Sequence, residues 1–129
     1  MGSSRGRTES LLHAKSYAFA LRIVQMNKFL RERQEFVLSK QVMRSGTAIG
    51  ALVRESEFAQ SKADFVNKLN IALKEANETD YWLNLLKDSG YLSDKSFSSI
   101  ETDCGELIAL LISSIKTARE NLRKMKNDE

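Results

Sequence analysis

An all-α fold, an up-down four-helix bundle, is predicted by three observations. Proline is absent and only six of 129 residues are glycine, so little in the chain interrupts long helices. Apolar residues recur at alternating spacings of three and four through four successive segments, the signature of a buried helical stripe. The links between those segments are short and polar, which makes consecutive helices antiparallel neighbours.

The first helix is read from ESLLHAKSYAFALRIVQMNKFLRER, where Leu12, Phe19, Ile23, Met26 and Leu30 share one face. A second apolar line, Tyr17, Leu21 and Val24, lies well around the same helix, on a side that a surface helix ordinarily leaves polar. Residues 1–8 are small, polar and basic and are expected to be a flexible tail, leaving residues 9–126 as the bundle.

A polar link near Arg33 to Glu35 precedes the second helix, whose seam is Leu38, Val42, Ser45, Ile49, Leu52 and Ser56. Gly46 and Gly50 stand inside it, although each interior glycine costs about 0.8–1 kcal/mol relative to alanine. The seam runs straight through both, which disfavours a turn. Neither phosphate-loop pattern, G-x-G-x-x-G or G-x-x-x-x-G-K-[ST], is present. With Ser45, Ala48 and Ala51 the two glycines remove side-chain bulk, so they are expected to admit a neighbouring backbone.

Ser61 followed by Asp64 is a variant capping box that starts the third helix. Phe65, Leu69, Ala72, Ala76, Thr79, Leu83 and Leu86 form the most regular seam of the chain. Beside it runs a mixed line of Ile71, Glu75, Glu78, Trp82 and Leu85. Carboxylates interleaved with apolar residues require partners, and Arg44 on the flank of the second helix is placed to bridge to Glu75 or Glu78 as a buried ion pair covered by Trp82. Gly90 is positioned to take the left-handed conformation that ends the helix, with Tyr91 and Leu92 folding back. Ser93 or Asp94 then caps a fourth helix whose seam runs from Phe97 through Ile100, Cys104, Leu107, Leu111, Ser114, Ala118 and Leu122 to Met125.

The residues speak against most chemistries. A bundle di-iron site needs two Glu-x-x-His motifs, whereas His13 is the only histidine and reads as an ordinary surface residue. Cys104, the only cysteine, lies on an apolar seam, where a thiol behaves as a small inert hydrophobe. Glu75 and Glu78 are three apart on a helix, an ordinary surface spacing as well as a conceivable acid–base pair. No catalytic, metal-binding or cofactor-binding residue is therefore expected. A single cysteine suits a reducing compartment. No apolar run approaches the roughly 20 residues of a membrane span, and the start lacks a signal-peptide core. A soluble cytoplasmic protein is expected.

The net charge is +3, but residues 1–58 carry ten Lys and Arg against five Asp and Glu, and residues 59–129 ten against twelve. Such asymmetry marks either a solvated helix face or a polyanion-binding surface. Lys15, Arg22 and Arg33 project at nearly the same angle, and Arg5, Arg7 and Arg31 add charge nearby in sequence.

Two segments carry a resemblance to a known family: SKQ-x-x-RSG-x-x-IG over residues 39–50, and SKADF-x-x-KLNIALKEA-x-ET-x-YWL over residues 61–83. With their surroundings, from about Ser16 to Glu120, they resemble the small bacterial four-helix-bundle proteins related to the 23S ribosomal RNA intervening-sequence proteins. The resemblance implies a subunit that assembles into a ring-like homopentamer and has no known enzymatic activity. A more distant relative, the accessory variability protein of diversity-generating retroelements, is a basic pentamer that binds nucleic acid and a reverse transcriptase. Where relatives commonly read ANI-x-E after the glycines, this chain reads ALVRESE and adds Arg54.

The resulting expectation is a non-enzymatic homo-oligomer, a pentamer by the resemblance. It would contact RNA or DNA through Lys15, Arg22, Arg31 and Arg33, repeated around the assembly. Tyr17, Leu21, Val24, Gly46, Gly50, Ile71, Trp82 and Leu85 would pack helices or subunits. The alternative is an adaptor oligomer that binds another protein and no nucleic acid.

Overall fold

The computed structural model describes residues 4–128, and side chains from residue 6 onward. Four helices follow one another: α1 (Ser4–Glu32), α2 (Leu38–Glu57), α3 (Lys62–Asp88) and α4 (Asp94–Asn127). Among the described residues there is no strand. Each helix packs against its neighbours in chain order and α4 closes against α1, whereas among the described residues the backbones of the diagonal pairs stay apart, with no helix–helix approach of their Cα atoms within 8 Å. This is the expected all-α bundle. Its first helix starts earlier than the expected boundary at residue 9: residues 4–8 of the presumed tail are already helical. Residues 1–3 lie outside the described part.

The seams form the core. Leu12, Phe19, Ile23 and Leu30 of α1, Val42 and Ile49 of α2, and every seam residue of α3 are buried. On α4 burial runs from Ile100 to Ala118, while Met125, expected to continue the seam, is half exposed. Phe65, near the start of α3, shares a shallow cleft with Ser114 and Ala118. Leu122 is still partly buried, and from Arg123 to the end of α4 every residue is exposed.

The caps set the helix boundaries. Ser61 accepts the Asp64 N–H at 3.0 Å and Ser93 accepts the Ser96 N–H at 3.1 Å, each satisfying a donor that the first turn leaves open. Gly90 has φ +87°, and the N–H groups of Tyr91 and Leu92 return to the Leu86 carbonyl, which closes α3 in the left-handed manner. The α1–α2 corner uses a residue that the sequence reading treated only as part of a polar link. Buried Glu35 accepts N–H groups of Val37, Leu38 and Ser39 at 3.2, 3.1 and 2.6 Å. Its carboxylate stands at the positive end of α2 and does the work of a cap. The Ser39 hydroxyl donates back to the Glu35 carbonyl at 2.8 Å.

Gly46 and Gly50 mark the close approach of α2 to α1. A Cβ on Gly46 would sit 2.7 Å from Ile23 Cγ1, and one on Gly50 would sit 3.2 Å from the Ser16 backbone oxygen. At Gly46 the helices meet too closely for a Cβ unless Ile23 shifts, and at Gly50 a Cβ would be tight against the α1 backbone. Both glycines thus serve packing within the subunit.

Candidate nucleic-acid interface and neighbouring polar clusters

The four cations expected to make one patch on α1 are divided between two tasks. Lys15 pairs with Glu106, and Arg22 donates to Asp103 at 2.6 Å and to the Ser99 carbonyl and hydroxyl at 3.3 and 3.0 Å. These two side chains stitch α1 to α4. The Lys15 ammonium is held above its ordinary pKa, first by the hydrogen bond to Glu106 and then by that carboxylate's charge. Arg31 and Arg33 lie instead at the far end of α1, over aromatic faces: Arg31 at 5.3 Å from the Phe36 centroid, Arg33 at 5.5 Å from Phe29 and 5.9 Å from Tyr91. One continuous α1 patch is therefore not formed, because α4 brings two carboxylates, three residues apart, against its middle. The side chain of Arg5 lies outside the described residues.

Between α2 and α3, Arg44 donates to Glu75 at 2.8 Å and also to Glu78, while Trp82 Nε1 donates to Glu78 at 2.9 Å. Tyr81 meets the Trp82 ring edge-on at 5.0 Å. The expected bridge is present, but it is not buried: the Arg44 side chain is half exposed and only Glu75 is well covered. Trp82 covers one edge of the cluster and leaves the guanidinium in water. Glu78 is held below the usual carboxylate range, first by the Trp82 N–H and then by Arg44. Arg44 is raised by its hydrogen bonds to Glu75 and Glu78. Glu78 is thereby kept ionised, the wrong state for a general acid.

A third cluster involves residues that the sequence reading did not single out. Asp80 on α3 has a buried Oδ1 with no hydrogen-bond partner among the described residues. Glu101 on α4 faces it and is pushed up to about 7, first by the hydrogen bond shared with Asp80, then by burial and by the charge of Asp80. A carboxylic acid beside a carboxylate satisfies both when one proton is shared. Next to the pair, Cys104 lies 3.5 Å from the Ala76 carbonyl oxygen, and its thiol is pushed up to about 12 by burial and then by the two carboxyls. It is inert as a nucleophile, as its seam position predicts. The clue in sequence was positional: Asp80 and Glu101 each follow a seam residue, Thr79 and Ile100.

His13 Nδ1 lies 2.7 Å from Glu57 Oε2 at one end of an α1–α2 cleft of about 280 Å³ that also exposes Tyr17, Thr47 and Arg54. Tyr17 is 57% exposed, Leu21 50% and Ile71 38%, whereas Val24, Trp82 and Leu85 are partly buried. A wider groove of about 570 Å³ separates the outer faces of α3 and α4 and is lined by Leu73, Ile112, Lys116, Arg119 and Arg123 among others. Among the described residues no cluster of three or more His, Cys, Asp or Glu is placed to hold a metal ion. No helix is long and apolar enough to cross a membrane.

No curated protein matches the chain. A solved structure does: a protein of unknown function from the S23 ribosomal protein family of Bacteroides thetaiotaomicron, 56% identical, superimposes with a TM-score of 0.83 over 84% of this chain and 98% of its own. The family described as 23S rRNA-intervening sequence protein matches residues 9–113, nearly the whole bundle and both glycines at the α1–α2 contact. The chain thus belongs to the 23S rRNA-intervening sequence protein family.

Proposed function

We propose that the protein is a non-enzymatic homo-oligomeric binding protein, a pentamer by its resemblance to the family, that contacts RNA or DNA through cations repeated around the assembly. The observation that carries the assembly is the exposure of Tyr17 and Leu21 on α1 and Ile71 on α3, helices that stand diagonally across the bundle. Two separate apolar surfaces on one subunit are what a head-to-tail ring requires, each meeting the other on the next copy. Repetition then multiplies a modest charge, since several weak patches on one strand act at high effective concentration. The family's name, which refers to ribosomal RNA, supports nucleic acid as the polyanion. The inert Cys104 and the arginine-bound Glu75 and Glu78 support a binding role over a catalytic one. A reducing, cytoplasmic setting suits the single thiol.

The adaptor reading, in which the oligomer binds another protein, is favoured by one observation: Lys15 and Arg22 are already paired with Glu106 and Asp103. Light scattering coupled to size exclusion tests the assembly. A mass at a multiple of 14.6 kDa is expected, reduced toward the monomer by Tyr17→Glu with Leu21→Glu; a stable wild-type monomer at micromolar concentration refutes it. Retention of labelled RNA at about 50 mM salt, where phosphate contacts are strongest, separates the nucleic-acid reading from the adaptor one.

A further inference from the structure

Charge is segregated along α4. Its first half carries Asp94, Glu101, Asp103 and Glu106 against Lys95, and from Leu107 onward it carries Lys116, Arg119, Arg123, Lys124 and Lys126 against Glu120. The acidic half holds the α1 cations Lys15 and Arg22. Among the described residues the basic half enters no ion pair at all; Arg119 makes one long contact of 3.4 Å to Asn70 Oδ1. Among the described residues, cations without an ion-pair partner also stand in the first half of the chain, including Lys28, Arg31, Arg33, Lys40 and Arg54, but on α4 five of them follow one another within eleven residues.

Lys116, Arg119 and Arg123 line the groove between α3 and α4, together with one carboxylate, Glu120. At 1.5 Å rise per residue they span about 10 Å along the helix. Lys124 and Lys126 lie in the last turn, where cations complement the negative helix end. The three groove cations stand farther upstream, where that negative end no longer competes for them. We propose that this groove seats the phosphodiester backbone of a single nucleic-acid strand, with Lys116, Arg119 and Arg123 meeting successive phosphates. The assignment rests on the nucleic-acid reading above and moves its site from α1 to α4.

The shape of the groove decides between polyanions. A docked acidic amphipathic helix needs apolar anchors at i, i+3 or i+4, and i+7. Here Ile112 is 52% exposed, but Ile115 is buried and Leu73 only partly accessible, so one anchor position is on offer. No aromatic side chain lines the groove, which leaves no stacking platform for reading bases. Three cations against the one carboxylate Glu120 leave the groove net positive along one line, which suits one backbone, and binding should be indifferent to base sequence.

The test is fluorescence anisotropy with the full-length protein and a fluorescein-labelled oligouridylate. Arg119→Glu with Arg123→Glu is expected to weaken binding at least tenfold at about 50 mM salt, with Arg31→Glu and Arg33→Glu on α1 leaving it within about twofold. The milder pair Lys116→Ala and Arg123→Ala should lower the slope of log K against log salt by about 1.4, the contribution of two phosphate contacts to a single strand. Circular dichroism and mass confirm that each variant remains folded and assembled. If folded α4 variants bind like the wild type, the groove assignment is overturned and the nucleic-acid reading survives it. A wild-type protein that retains no oligouridylate at low salt overturns that reading, and the groove with it. Displacement of the probe by polyglutamate as effectively as by unlabelled oligouridylate overturns the phosphodiester assignment in favour of an acidic protein.

Discussion

The carboxyl of Glu101 on α4 faces Asp80 on α3, whose buried Oδ1 has no hydrogen-bond partner among the described residues. Two acids facing each other across a helix interface repel when both are ionised, and a proton on Glu101 relieves that repulsion. In the folded chain Glu101 titrates near 7, against an ordinary 4.5. The folded state thus binds this proton more tightly than the unfolded state does. The stabilisation is complete below about pH 4.5 and is lost as pH rises toward 7. Between pH 5 and 8 the wild type should lose about 1–3 kcal/mol, allowing for partial solvation of the pair. Glu101→Gln, which keeps a donor toward Asp80, should flatten that profile. Urea midpoints measured across the range check it; equal slopes for both proteins would exclude the shared proton.

The α1–α2 contact makes different demands at its two glycines. Gly46→Ala places a methyl against Ile23, a buried β-branched side chain with little room to move, and should destabilise by about 1–3 kcal/mol. Combining it with Ile23→Ala should cost clearly less than the sum of the single changes, because the second substitution removes the clash. Gly50→Ala meets the Ser16 carbonyl oxygen at 3.2 Å and should be mildly harmful, whereas Gly50→Leu should prevent normal packing. Thermal melts of the five variants decide this, and a Gly50→Leu protein that melts like the wild type would refute the close contact.

Glu35 is predicted to be the strongest single cap. Glu35→Ala removes an acceptor for three backbone N–H groups at the start of α2 and should destabilise by about 2 kcal/mol. Hydrogen exchange at Val37, Leu38 and Ser39 should accelerate in this variant. Unchanged protection at those amides would show that the cap is dispensable.

Arg44 should matter much less than its contact list suggests. Its guanidinium is half in water, so Arg44→Ala is expected to cost no more than about 1 kcal/mol. Trp82 bonds to the same Glu78, and its fluorescence should shift when Arg44 is removed. A loss several times larger would mean that the cluster is desolvated, as it would be inside a subunit interface.

Much of this protein is legible along the chain, since helical periodicity, caps and left-handed glycines are properties of short stretches of backbone. Seven α3 residues at four-three spacing are buried because a helix turns 100° per residue wherever it occurs. Gly90 follows from the same local rules, and Gly46 and Gly50 from a seam that does not break around them. The Glu35 cap is also local, but a glutamate ahead of the helix is not among the usual capping residues. What only the tertiary structure decided is which charges face each other. Lys15 and Arg22 look free in the sequence and are paired, Lys116, Arg119 and Arg123 look ordinary and are unpaired, and Asp80 and Glu101 meet across 20 intervening positions. Such pairings depend on the axial register and rotation of one helix against another. Those are set by the packing of the whole core and by the lengths of the corners, and no spacing within a single helix encodes them.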